Sequence, residues 1–312
     1  MIKTKNTIII LSALLVCICG CSGLTSNAQE QGKIYFTSSI FPQGEEPGEN
    51  VGLCVLENGK VKKLRRYYWM SKVTRDGKKI AAGIKDETKS IYIVDAITGE
   101  KESVAINHYR ADLCWFNNDN NKLLYVGYDA YNKTHQMFNI YLVDLTSKEE
   151  KQLTNNTKPD NTVFCVSPSP DNSKIVYATR KRDTTHNGRN VKILNLVTKE
   201  TEYLPFSSTD VTWSHVENKI VLWGVYRDEN TKETDPKMYV YDVDSKTYKG
   251  YPSEVECFAE DEYTFSPDGQ RIVCFRTENN GKKTVLSMKL DRTEQKKLLD
   301  WRYKIDDISW TE

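Results

Sequence analysis

The sequence predicts an all-β chain: a six-bladed β-propeller of four-stranded antiparallel blades, with one blade closed by both chain termini. Three observations lead there. A tight-turn motif followed by an apolar run recurs six times along the 312 residues. Its period of 43 to 52 residues is what four short strands and their turns require. No segment carries sustained helical periodicity.

The best-preserved copy of the motif is Phe265-Ser266-Pro267-Asp268-Gly269-Gln270-Arg271-Ile272-Val273-Cys274-Phe275. Pro pre-sets φ for a turn, Asp bonds its own backbone, and Gly accepts positive φ at little cost. In chain order the earlier copies are Gly32-Lys33-Ile34, Asp76-Gly77-Lys78-Lys79-Ile80, Asp119-Asn120-Asn121-Lys122-Leu123, Asp171-Asn172-Ser173-Lys174-Ile175 and Glu217-Asn218-Lys219-Ile220. The first apolar residues after the turns, at 34, 80, 123, 175, 220 and 272, are spaced by 46, 43, 52, 45 and 52 residues. Each opens a second strand that reads as a continuous apolar run, as a strand covered on both faces should.

A third strand comes after each marker: Ile91-Tyr92-Ile93-Val94-Asp95, Ile140-Tyr141-Leu142-Val143-Asp144, Val191-Lys192-Ile193-Leu194-Asn195 and Met238-Tyr239-Val240-Tyr241-Asp242. Val51 to Val55 and Val285 to Lys289 are degraded copies. The recurring Asp95, Asp144 and Asp242 read as turn caps, because repetition at one position favours structure over catalysis. A short charged fourth strand comes next, as in Glu149 to Leu153, which suits an exposed edge. Ahead of each marker lies a first strand with an aromatic or apolar residue, as at Trp115, Val166, Trp213 and Phe265. The N-terminal repeat lacks that first strand, and Ile308-Ser309-Trp310-Thr311-Glu312 supplies one with nothing after it. One blade built from both termini and five internal blades make six.

Aromatic-Ser-Pro-Asp-Gly-x-x-Ile followed by Ile-Tyr-hydrophobic-hydrophobic-Asp resembles the TolB-like propeller family, over Lys33 to Glu312. That resemblance implies a six-bladed fold. It implies little about function, since the family includes periplasmic scaffold proteins, enzyme-attached propellers and many proteins of unknown role. The matching residues carry turns and core packing, and they bring no catalytic residue across.

Residues 1–20 stand apart. Lys3 and Lys5 precede a nearly uncharged run from Ile8 to Gly20, too short to span a bilayer but suited to a signal-peptide core. The run ends in Ile18-Cys19-Gly20-Cys21, which resembles a bacterial lipobox with Cys21 as the lipidated first residue of the mature chain. Ordinary signal cleavage and a simple membrane anchor are the alternatives. Residues 21–32 then form the lipidated terminus and a polar tether, and 33–312 the single propeller domain. The expected location is extracytoplasmic, anchored to a bacterial membrane by an N-terminal lipid.

Overall there are 44 basic and 43 acidic residues, and 38% of the chain is hydrophobic. This balance excludes disorder and argues against a nucleic-acid partner. Cys54, Cys114, Cys165, Cys257 and Cys274 show no metal spacing, and four of them lie in strand-like runs as small hydrophobes. There is no nucleophile elbow, His-Glu-x-x-His, phosphate loop or EF-hand run, so no catalytic residue, metal or cofactor is assigned. His108, His135, His186 and His215 fall in different repeats. Two or three of them could meet across a central channel, and His108 and His215 lie nearest the inner strands.

Chemistry is therefore sought in loops. Residues 128–137, 180–189, 226–237 and 276–283, together with the connections between blades, emerge on one face, whereas the Asp-Gly turns lie on the other. Tyr, Trp and Arg anchor interfaces, and loops on rigid scaffolds carry binding. Tyr68, Trp69, His108, Tyr109, Trp301 and Tyr303 form the candidate binding face. Two readings result: a non-catalytic scaffold for a protein or peptide of the cell envelope, or a propeller that binds or cleaves carbohydrate at the channel mouth.

Overall fold

The computed structural model describes residues 32–39, 51–66, 70–84, 87–128, 137–156, 161–181, 189–227, 236–251, 263–277, 283–301 and 305–312. Among the described residues every regular element is a strand. Blade 1 contains β1 (Lys33–Ser39), β2 (Val51–Glu57) and β3 (Lys60–Arg66). Blade 2 runs β4 (Met70–Val73), β5 (Lys79–Ile84), β6 (Glu87–Asp95) and β7 (Lys101–Ala105), and blade 3 runs β8 (Tyr109–Phe116), β9 (Asp119–Tyr128), β10 (Phe138–Asp144) and β11 (Glu150–Gln152). Blade 4 is β12 (Asn161–Pro168), β13 (Lys174–Lys181), β14 (Arg189–Asn195) and β15 (Thr201–Leu204). Blade 5 is β16 (Phe206–Trp213), β17 (Lys219–Tyr226), β18 (Lys237–Asp242) and β19 (Thr247–Tyr251). Blade 6 is β20 (Tyr263–Phe265), β21 (Arg271–Thr277), β22 (Lys283–Lys289) and β23 (Lys296–Trp301). The last strand, β24 (Ile305–Thr311), returns to blade 1 and pairs antiparallel with β1, Ile34 opposite Trp310. Each blade is one four-stranded sheet, in chain order except for blade 1, whose order β24-β1-β2-β3 is the expected closure by both termini.

Inner strands β4, β8, β12, β16, β20 and β24 each touch the next around a closed ring. Six apolar clusters lie one in each gap between blades. Strand β9 shows why the second strands read as unbroken apolar runs. Leu123 and Tyr125 enter the gap to blade 2, while Leu124 and Val126 enter the gap to blade 4. Side chains alternate between faces, and both faces are interior.

The turns share one chemistry. In blade 6 the Ser266 amide donates to the Arg271 carbonyl (2.9 Å) and the Arg271 amide to Ser266 Oγ (2.9 Å). Asp268 Oδ1 accepts from Ser266 Oγ (2.5 Å) and from the Gln270 amide (3.0 Å), with Gly269 at φ +71°. Blade 4 repeats this with Ser169, Asp171 and Asn172, and blade 2 with Thr74, Asp76 and Gly77. On the third-strand turns, Asp95, Asp144 and Asp242 accept from backbone amides two or three residues ahead, as turn caps do.

Blade 3 departs from the expected pattern. The turn lies at Asn117-Asn118, not Asp119 to Asn121, which already belong to β9; Phe116 pairs with Asp119 and Asn118 takes φ +54°. Asparagine tolerates the left-handed region, so this turn closes without glycine. Asn117 then has a further use: its Nδ2 donates to Pro168 O and Ser169 O, tying the turn to that of blade 4. In blade 4 the register sets Pro168 rather than Val166 opposite Ile175.

Candidate functional site

Inner strands have a second sheet sibling on one side only, so their other edge must find hydrogen bonds from the neighbouring blade. Side chains provide them. Trp115 Nε1 donates to Lys72 O (2.8 Å), Thr212 Oγ1 to Tyr263 O (2.9 Å), and Ser167 Oγ and Ser309 Oγ accept the amides of Trp213 (3.0 Å) and Val73 (3.3 Å). Within this ring is a central channel of about 550 Å³, lined by residues of all six inner strands.

The residues opposite the six second-strand markers are Trp310, Val73, Trp115, Pro168, Trp213 and Phe265. Tryptophan thus alternates with a smaller side chain, and each tryptophan comes three positions after an aspartate: Asp307, Asp112 and Asp210. In blades 1, 3 and 5 a bulge adjoins this aspartate, between Phe36 and Ser38, Arg110 and Asp112, or Ser208 and Asp210. An extra residue in one strand re-aims the side chains beyond it, which accounts for polar groups at an otherwise apolar core. Asp307 accepts from Thr37 Oγ1 (3.2 Å) and the Ser71 amide (3.3 Å) and pairs with Lys72 (3.5 Å). Asp112 and Asp210 line the channel with Arg189.

The two ends of the channel differ. At the Asp-Gly turn face, Pro267 O accepts from Arg75 Nη2 (2.7 Å) and faces His215 Nε2 (3.0 Å); because a carbonyl only accepts, Nε2 carries the proton. Arg75 also pairs with Glu312 (3.1 Å), so residues of four blades are bridged beneath the channel. Burial, helped by Arg75, holds the His215 imidazole below its ordinary value. At the other end Tyr109, Tyr128 and Phe138 pair across blade 3, and Thr162, Arg180 and Arg189 across blade 4. In these two blades the strand ends flanking the second-to-third connection and the start of the first strand therefore share the face opposite Pro267.

As chemistry, this channel holds charged groups among apolar walls but is not primed for nucleophilic attack. Burial, with the Asp210 and Asp112 carboxylates nearby, pushes the Cys165 thiol well above its usual range, which disfavours a thiolate. Cys54 is likewise pushed up by burial to about 11. His108 and His215 do not meet: His108 precedes β8 on the loop face and His215 comes after β16 on the turn face. Among the described residues no group of three or more His, Cys, Asp or Glu is placed to hold a metal.

His108 stacks on Tyr141 (4.1 Å between centroids) and lies 3.6 Å from Glu150, which also accepts from Tyr125 OH (2.7 Å). Its ring is thus turned along the flank of blade 3 toward the outer strand. Tyr109 stacks on Tyr128 (5.5 Å), with Lys89 Nζ 4.8 Å from its ring. Trp301 wedges between blades 6 and 1, donating to Ser38 Oγ (2.8 Å) edge-on to Phe36 (5.6 Å). Tyr68, Trp69, Tyr303, Cys21, Cys257, His135 and His186 lie outside the described residues, as do most of the loop tips. The channel residues Lys72, Arg75, Asp112, Arg189, Asp210 and Asp307 were not singled out from sequence. The Asp-x-x-Trp spacing, read at alternate repeats, was the signal for three of them.

No family model and no curated protein matches the sequence. Among solved structures, TolB from Acinetobacter baumannii superimposes with a TM-score of 0.67 at 20% identity, covering 91% of this chain and 67% of that one. The putative TolB from Agrobacterium tumefaciens gives 0.53 at 12% identity, over 86% and 88% of the two chains. The propeller domain of the Trilobed protease from Pyrococcus furiosus gives 0.53 at 17% identity, over 87% and 93%. That domain is described as an open velcro, whereas here β24 and β1 join the termini in one sheet. The shared property is the fold, a TolB-like six-bladed propeller.

Proposed function

We propose that this chain is a membrane-anchored extracytoplasmic propeller, held by lipid on Cys21, that binds a protein or peptide of the cell envelope without catalysis of its own. The observation that carries the reading is the asymmetry of the disc. Its turn face is bridged by Arg75, His215 and Pro267, while the strand ends that lead into the longer connections, such as Tyr128 and Arg189, lie on the other face of the blades. Tyr109 opens β8 and Arg189 opens β14 on that face, and both are residue types that anchor interfaces. The unactivated state of Cys165 and the structural engagement of His215 favour binding over turnover.

The test pairs capture of envelope proteins by the propeller with a face-specific substitution set. Tyr109→Ala with Arg189→Ala is expected to abolish capture of a partner. Ile97→Asp with Val197→Asp, at exposed positions on the turn face, is expected to leave it intact. The reverse pattern would sink the proposal, and binding confined to a glycan array would replace it with the carbohydrate reading.

A further inference from the structure

The outer strands of the blades are open edges, and five of the six carry mixed or sparse charge. Strand β7 combines Lys101 with Glu102, β11 Glu150 with Lys151, and β23 Lys296 and Lys297 with Asp300; β15 carries only Glu202 and β19 only Lys249. Strand β3 differs: Lys60-Val61-Lys62-Lys63-Leu64-Arg65-Arg66 holds five basic residues and no acidic one. Lys60, Lys62 and Lys63 are exposed, and none forms an ion pair with another described residue. Lysine on an edge is a known guard against edge-to-edge pairing, but the other edges are protected with far less charge. In a protein whose charges otherwise nearly cancel, this strand concentrates a one-sign field on one rim.

Blade 1 is also where the N-terminal segment joins the ring. Gly32 leads into β1, and β1, β2 and β3 are consecutive strands of one sheet. Lys33 pairs with Glu57 (3.4 Å), and Glu57 is the register partner of Lys60. At about 4.8 Å per strand, Lys33 at the start of β1 therefore lies roughly 10 Å from the basic edge. The eleven residues from Ser22 to Gly32 span at most about 40 Å when extended.

We infer that the β3 rim of blade 1 is a docking surface for an anionic phospholipid membrane, acting with the Cys21 lipid to hold the disc by that edge. The choice of partner rests on the anchored reading above. One lipid-bearing end and a basic patch together make a more stable attachment than either alone, and the patch would fix which rim faces the bilayer, leaving the channel mouth accessible from the side.

The test uses the propeller from Gly32 to Glu312, which contains all six blades and both strands of the closure, so that vesicle binding is read without the lipid. Cosedimentation is measured with vesicles of phosphatidylcholine alone and with phosphatidylglycerol added, at low and high salt. Binding is expected only to the anionic vesicles, and weaker at high salt. Each basic side chain near such a surface contributes about fivefold in affinity, so Lys60→Glu/Lys62→Glu/Lys63→Glu should lower it by about 100-fold or more. Lys101→Glu/Lys151→Glu/Lys249→Glu, the same charge change on three other rims, should lose far less. Equal loss in both triples, or no preference of the parent for anionic vesicles, overturns the rim; matching thermal midpoints exclude misfolding. Mass analysis of the full chain separates the two ideas. Anionic binding with an unmodified Cys21 would leave the rim standing without the anchor, and a lipidated Cys21 with no anionic preference would do the opposite.

Discussion

Gly83 and Gly224 are fixed by what occupies the space of a Cβ. At Gly83 it would meet the Arg110 guanidinium at 2.0 Å, and at Gly224 the Ser207 carbonyl oxygen at 2.1 Å. Arg110 is a buried side chain that donates to Ser90 O, and it can shift; the Ser207 carbonyl belongs to a bulged strand and cannot without moving the ladder. Overpacking typically costs about 1–3 kcal/mol. Gly224→Ala is expected at or above the upper end and Gly83→Ala below it, read by urea denaturation; equal losses would contradict this account. His215 supplies a pH test. Its folded pKa lies below the ordinary 6.5, so the stability it contributes is present above 6.5 and is lost as pH falls through the depressed value. Wild type should therefore be more stable than His215→Gln at neutral pH, and that advantage should shrink toward about pH 5. A pH-independent gap would show that His215 does not titrate in this way.

Among the elements, the turns and the closing strand carry separable energies. Asp171 is held below the usual carboxylate range by the Ser169 hydroxyl and the Ser173 amide, which stabilises the turn above its unfolded pKa. Net hydrogen bonds contribute about 0.5–1.5 kcal/mol each. Asp268→Ala and Ser266→Ala should each cost about 1–2 kcal/mol, and the double variant less than their sum, because they share one network. Strand β24 is a different case. It joins blade 1 and supplies Ile305, Ile308 and Trp310 to the cluster between blades 6 and 1. Deletion of Tyr303 to Glu312 exposes β1 as a raw edge and opens that cluster, so a large fall in thermal midpoint is expected. An unchanged melting curve would mean that the ring does not depend on closure.

At the scale of the molecule, a closed ring has no terminal blade to fray, and each blade is stabilised only by its two neighbours. Loss in one gap should spread to both. Leu124→Ala, at a fully buried position between blades 3 and 4, is expected to lower global stability by about 2–5 kcal/mol in a single transition. A separate early transition would show that blades unfold independently. The anchor is tested at the same scale: Cys21→Ala should release the protein from membranes, and undiminished retention would count against lipidation.

The repeat made the fold legible. Pro-Asp-Gly and Asp-Asn turns fix local φ, alternation across two buried faces gives unbroken apolar strands, and an unpaired first strand after Trp301 implied closure with Lys33 to Ser39. The turn of blade 3 was misplaced by two residues because Asn117-Asn118 can do the work of a glycine. The candidate site was less legible. Trp301 and His108 carry side chains typical of an exposed binding face, yet packing against Phe36 and Tyr141 turns them into the blades. Asp112, Asp210 and Asp307 drew no notice singly, since carboxylates are common and their shared position shows only in the register. Sequence alone determined the strands, their order and the number of blades, because these depend on residues close in the chain. Only the tertiary structure decided which polar groups meet at the channel, and that Arg75 and His215 bridge one end of it. Those arrangements join side chains from strands far apart in sequence, and their geometry exists only once the ring has closed.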